Sequence, residues 1–244
     1  MPTTTAETTT AVLTDQPATT DKPTTAPTAA VPTQRTPAPP APVLPSAETP
    51  TDRLTRRALG ALRRQAGRVL VTGRTDAPAV VARRLGERDA TLAARATCAD
   101  IFALAQRVLD EREIDVCTDP SLVDEAWISA WERVGRHSVL CGLDGADRWR
   151  SEIAGAIKGR GLVRFSQYQD CAARLATAVW DLYVAYSEEL AVRFAHDRAD
   201  LIAIALDELT VNPTRERFSV VVLDPTLPLT PTMVRLLRAL TVTR

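Results

Sequence analysis

Residues 52–68, DRLTRRALGALRRQAGR, place six arginines (Arg53, Arg56, Arg57, Arg63, Arg64 and Arg68) against one acidic side chain. Guanidinium groups clustered on one helix face suit the phosphate backbone of DNA or RNA, where each contact releases a counterion. Arg74, Arg83, Arg84, Arg88 and Arg95 extend the basic block beyond the helix. Two other readings compete. An amphipathic helix normally carries charge on its wet face, and the block can dock on the acidic stretch at 110–125 or on an acidic protein partner. Apart from Gln65 the face has no Lys, Asn, Gln or aromatic to read base edges, so phosphate contacts here position a duplex without specifying its sequence. The apolar side is Ala and Leu without Trp or Phe, a poor match to membrane insertion.

A second basic candidate is GAIKGRGLVRF, 155–165, where Lys158, Arg160 and Arg164 stand among glycines that would let backbone amides approach a phosphate. Its spacing fits neither a Walker A loop nor a dinucleotide fingerprint. A glycine-rich helix stop with cations near the helix C-terminus explains it as well. SVVVLD, 219–224, resembles a strand ending in a carboxylate, Asp224, but no phosphate loop precedes it. HDRAD supplies His196, Asp197 and Asp200, short of the further histidines a metal-dependent hydrolase needs, so these read as cap or surface residues. Cys98, Cys117, Cys141 and Cys171 are 19, 24 and 30 residues apart with no Cys-x-x-Cys, and only His137 accompanies His196. That spacing argues against structural zinc and for reduced, mostly buried thiols. His137 and Cys141 share a helical face at i,i+4, which without a third polar partner reads as packing. No cofactor, metal set or nucleophile–base constellation can be named, so the chain leans away from an enzyme.

The elements that must position these residues are mainly helical. Of 244 residues, 28 are arginine and two are lysine, and the net charge is zero. By consecutive fifties the charge runs −2, +6, −4 and −1, with +1 for 201–244. Residues 1–50 are largely Thr, Pro and Ala with no aromatic, a composition that cannot offset the entropy of ordering and predicts a disordered tail. With no signal-peptide pattern and no uncharged run of 18 apolar residues, the expectation is a soluble, cytoplasmic protein without membrane contact. Apolar periodicity predicts a helix from a cap at Asp52 to Leu70, and a second over 75–86 with Pro78 in its first turn and Gly86 at its stop. It predicts others over Asp89–Glu113, 121–140 closed by Gly142, 145–157, 166–196 as one long helix or two, and 198–209. RFSVVVLD, 217–224, reads as a strand and 232–240 as a last helix. The aromatic spacings of Trp127 with Trp131, and of Trp180 with Tyr183 and Val184, place these residues in the core. The expected organisation is a tail at 1–50, a helical domain at 51–212 that begins with the basic helix, and a small mixed segment at 213–244 packed on it.

The succession TLAARATCADIFALAQRVLDEREID, DPSLVDEAWISAWERVGR and DRWRSEIAGAIKGRGLV resembles the helical core-binding domain of tyrosine recombinases over about seventy residues. Downstream there is no Arg…His-x-x-Arg…Tyr set: after residue 165 the only histidine is His196, and Tyr168, Tyr183 and Tyr186 all precede it. The resemblance therefore implies DNA clamping without strand cleavage. The sequence as a whole points to a non-enzymatic, DNA-backbone-binding accessory or regulatory protein. A helical adaptor docked through the basic helix is the alternative, and an enzyme of unidentified type stands third.

Overall fold

Val69-Leu70-Val71-Thr72 is a four-residue run rich in β-branched side chains with every residue buried, and it forms the middle strand of a parallel sheet. The computed structural model describes residues 48–74, 76–169, 175–213 and 217–241. In chain order the elements are α1 (Pro50–Arg64), β1 (Val69–Thr72), α2 (Ala77–Arg88), α3 (Ala90–Ala93), β2 (Ala96–Cys98) and α4 (Ile101–Asp110). There follow α5 (Pro120–Arg133), α6 (Ala146–Glu152), α7 (Phe165–Gln169), α8 (Ala176–Val192), α9 (Arg198–Val211), β3 (Val220–Leu223) and α10 (Pro231–Ala239). The fold is mainly α, with a small three-stranded sheet in the order β2-β1-β3. Val69 faces Ala96 on one side and Val220 on the other; Val71 faces Cys98 and Val222.

The pleat of β1 sends alternate side chains to opposite faces. Val69 and Val71 pack with Leu54, Leu62, Val81 and Leu85 of α1 and α2. Leu70 packs on the other face with Ile101, Leu104, Leu201 and Leu237 of α4, α9 and α10. The β1–β2 crossover thus uses one face of the sheet, and the β2–β3 crossover the other. Between α4 and α9 the chain inserts a helical lobe, α5 to α8. Its core gathers Trp127, Trp149, Ile153, Leu182 and Tyr186. Trp149 Nε1 donates to the Leu140 carbonyl at 3.2 Å, and Trp127 meets Tyr186 edge-on at a centroid distance of 5.4 Å.

Several boundaries differ from the sequence expectation, each for a local reason. The first helix ends at Arg64, with Gln65 extended, because the next apolar run is drawn into the sheet. Its N-cap is Thr49, and Asp52 completes a capping box from three residues inside. The second helix runs through Gly86 to Arg88, where Asp89 ends it and caps α3. The long helix expected over 89–113 is instead α3, β2 and α4; Asp100 caps α4, and Glu113 follows it with φ 58°. After Arg133 the chain makes two 3₁₀ turns, 135–137 and 139–142, instead of continuing to Leu140. A Cβ on buried Gly135 would come within 2.2 Å of the Trp131 ring, so only glycine lets that turn close there. The 166–196 stretch, read as one helix or two, holds two, α7 and α8; residues 170–174, and Cys171 with them, lie outside the described residues. Trp180 and Tyr183 are half-buried and Val184 is exposed, so that cluster borders the core without filling it. The tail expected at 1–50 also lies outside the described residues, save Glu48, Thr49 and Pro50, which lead into and begin α1.

Leu70 is the side chain of β1 that anchors the α4/α9 layer. Leu70→Ala should cost about 2–5 kcal/mol, and Arg53→Gln, on the exposed face of α1, less than about 0.5 kcal/mol. Urea unfolding midpoints of the two variants check this; equal midpoints would contradict burial of β1 on both faces.

Candidate functional site

The half of α1 bearing Leu54, Ala58, Leu59, Ala61 and Leu62 is buried, which leaves its arginines outside. Arg53, Arg56, Arg57, Arg63, Arg64 and Arg68 are all exposed. At 100° per residue Arg53, Arg57 and Arg64 form one stripe and Arg56 and Arg63 an adjoining one. From Arg53 to Arg64 the stripe runs about 16 Å along the axis. Arg56 pairs with Glu48 at 2.8 Å. Asp52, the only carboxylate on α1, is engaged by Thr49 and by Arg84 at 2.5 Å, and these contacts hold its pKa below the ordinary value. Arg53, Arg57, Arg63 and Arg64 form no ion pair among the described residues. Arg68 is tied down, donating to Thr97 Oγ1 at 3.1 Å and lying over the Phe218 ring. On the neighbouring α2, Arg83 approaches Glu87 at 3.8 Å and Arg88 is exposed. Arg95 points back beneath α1 and donates to the Gln65 and Gly67 carbonyls.

The acidic segment does not cover this face. Asp110 accepts from Gln106, and Glu111 pairs with Arg107 on its own helix at 3.3 Å. No ion pair joins the α1 arginines to residues 110–125 among the described residues.

The second basic candidate is placed differently. Lys158 lies at the end of a π-helical turn, Ile153–Ile157, that continues α6, with its side chain only 7% exposed. Its ammonium donates to Asp197 at 2.8 Å and Asp200 at 2.7 Å, and sits 4.9 Å from the centre of the Tyr186 ring. Burial opposes the charge on Lys158, but the two carboxylates outweigh it and raise the pKa. Burial likewise pushes Asp197 up, and Lys158 with the backbone amides at the start of α9 brings it below its ordinary value. Asp200 ends above its ordinary value, from burial first and then the Asp197 charge. Burial and the same charge raise the Tyr186 phenol. The cluster borders a cavity of about 320 Å³ lined by Arg150, Tyr186 and His196. With its cation consumed by two carboxylates, Lys158 is occupied in holding the lobe to α9. Arg160 and Arg164 are exposed on the chain beyond it. This segment packs on α9 and α10, whereas α1 packs on α2 and the sheet, so the two basic features belong to different cores.

The remaining candidates are scattered. His137 and Cys141 lie exposed on successive 3₁₀ turns and share no helix. Cys117 is exposed too, against the expectation of mostly buried thiols; Cys98 in β2 is half-buried, and burial pushes its thiol up to about 11. No group of three metal-ligating side chains occurs among the described residues, and no helix there is long and apolar enough to cross a membrane. Asp224 is buried at the end of β3, with its Oδ1 accepting from the amide and hydroxyl of Thr226. The loop that sequence reasoning missed stands beside it: Gly73 follows β1, and a Cβ there would lie 3.2 Å from that of Asp224. The available signal was VLVT before a glycine, which pairs with SVVVLD only once both are known to be strands.

No protein-family model matches the chain, and no curated protein matches it. The segment that resembles a recombinase core-binding domain contains β2, hydrogen-bonded into the sheet.

Lys158→Met leaves two buried carboxylates without a cation and should destabilise the protein by about 3–5 kcal/mol at pH 7. In the native protein Asp197, with its depressed pKa, contributes stability above the unfolded value that is lost as pH falls through the folded one. In the variant both carboxyls rise above the unfolded value, so its deficit grows with rising pH and shrinks toward pH 4. Urea unfolding of both proteins at pH 4 and pH 7 reads the difference; a pH-independent cost would contradict the charge cluster.

Proposed function

We propose that this protein binds nucleic acid through the phosphate backbone, with the arginine face of α1 as the contact surface. The observation that carries this reading is a set of four guanidinium groups, Arg53, Arg57, Arg63 and Arg64, exposed on one helix face with no carboxylate paired to them among the described residues. Five like charges on one short helix repel one another, and a polyanion relieves that repulsion while the buried Leu and Ala side keeps the helix in place. Arg88 and Arg83 on α2 widen the surface. The chemistry of the face is that of clamping. It offers charge and forked donors for phosphate oxygens and, apart from Gln65 at the helix end, no carboxamide or aromatic for base edges. An accessory or regulatory protein in the cytoplasm, binding duplex with little sequence preference and without cutting it, is the role that fits.

Four phosphate contacts predict a slope of about −3.6 for log K against log salt, a loss of about a hundredfold between 50 and 200 mM. Titration of the full chain against a fluorescent 30-mer duplex over that salt range measures it. The variant with Arg53, Arg57, Arg63 and Arg64 changed to Gln should lose most of both affinity and slope. A folded variant that binds as the parent does, or a parent that does not bind at 50 mM salt, would overturn the reading.

A further inference from the structure

The carboxyl edge of the sheet borders a cleft separate from the arginine face of α1. Strand order β2-β1-β3, with the β1–β2 crossover on one face and the β2–β3 crossover on the other, makes the β1/β3 boundary a topological switch point. Crevices outside the strand carboxyl ends at such points are where open parallel sheets take ligands. A cleft of about 770 Å³ opens at this edge on the α4/α9 side, within the size range of small-molecule sites.

Its lining combines two cations with an apolar wall. Arg74, two residues beyond β1, and Arg198, at the start of α9, both line the cleft, and both are exposed. Neither forms an ion pair among the described residues. The Arg198 guanidinium lies 5.1 Å from the centre of the Phe102 ring, and no hydrogen bond engages its N–H donors among the described residues. Leu201, Leu227 and Met233 continue the apolar wall from Phe102. Asp100 also lines the cleft, but no carboxylate pairs with either arginine among the described residues. Asp100 Oδ1 accepts the Phe102 and Ala103 amides at the start of α4, and Asp224 Oδ1 is taken by Thr226. The last residue of β1, Thr72, is fully buried with its hydroxyl oxygen unpartnered, on the same face of the strand as Leu70 and so on the side of α4 and α9. Gly73 lines the cleft itself, and the space where its Cβ would stand is hemmed by Asp224, Ala77 and Leu54.

We infer that this cleft binds a nucleotide, with its phosphate held between Arg74 and Arg198 and its base against Phe102, Leu201, Leu227 and Met233. Two unpaired guanidinium groups suit a dianion better than a single carboxylate. The apolar wall suits a planar organic body better than a bare anion or a sugar alone. The site draws on none of the α1 arginines, so it stands or falls apart from the duplex-binding surface.

The test is thermal unfolding and calorimetric titration of the full chain with AMP, GMP and UMP, beside adenosine and inorganic phosphate. At least one nucleotide should raise Tm and bind at least tenfold more tightly than either fragment. The Arg74→Gln/Arg198→Gln double variant, with its unliganded Tm checked against the parent, should weaken that binding at least tenfold. The variant with four α1 arginines changed to Gln should keep it. The inference is overturned if no nucleotide binds at millimolar concentration, or if phosphate or adenosine alone binds as tightly. It is equally overturned if the cleft variant binds as the parent does, or if the α1 variant loses binding.

Discussion

Burial of β1 on both faces is the constraint from which the rest of the structure follows. A strand with Val69 and Val71 on one side and Leu70 on the other needs an apolar layer on each. α1 and α2 supply one, α4, α9 and α10 the other. Because α1 spends its Leu and Ala side on that layer, its arginines have nowhere to face but outward. The same strand ends at the Thr72-Gly73-Arg74 loop, so the sheet that turns the basic helix outward also sets the edge of the cleft.

The buried charge cluster around Lys158 solves a different problem, how the inserted lobe is held to the α/β base. Lys158 comes from the end of the lobe's π-helical turn, Tyr186 from α8, and Asp197 and Asp200 from the first turn of α9, which belongs to the base. Next to it Thr232 of α10 donates its hydroxyl to the Gly159 carbonyl at 2.7 Å. A lysine between two carboxylates fixes orientation as a hydrophobic contact does not, since each partner must be in place for the others to be tolerated in a poorly solvated site. Asp197 and Asp200 also cap α9, so the negative charge is anchored by backbone amides as well as by the cation.

What the sequence made legible was whatever repeats locally. Leu54, Ala58, Leu59 and Leu62 mark the buried side of α1; Leu201, Ile202, Ala205 and Leu209 mark α9; and the β-branched run at 220–222 marks β3. The two other strands were opaque for opposite reasons. Val69 and Leu70 extend the helical periodicity of the preceding residues in phase, and Ala-Thr-Cys at 96–98 is too short and too plain to signal anything. Their identity rests on pairings such as Ser219 with Arg68, 151 residues apart, which no window along the chain contains. The partners of Lys158 are likewise 39 and 42 residues away. A lysine among glycines therefore looks like a free phosphate ligand until the fold brings two aspartates to it. Exposure of the α1 arginines was legible because it depends only on which half of one helix is apolar.

Protection of individual arginines from phenylglyoxal, read by peptide mass spectrometry with and without saturating 30-mer duplex, shows which surface of the protein the duplex covers. Arg53, Arg57, Arg63 and Arg64 should react readily in the free protein and be shielded together by the duplex, while exposed arginines elsewhere, such as Arg235 and Arg238 on α10, should react alike in both states. Shielding confined to α10 or to the 160–164 segment, with the α1 arginines unchanged, would contradict α1 as the contact surface.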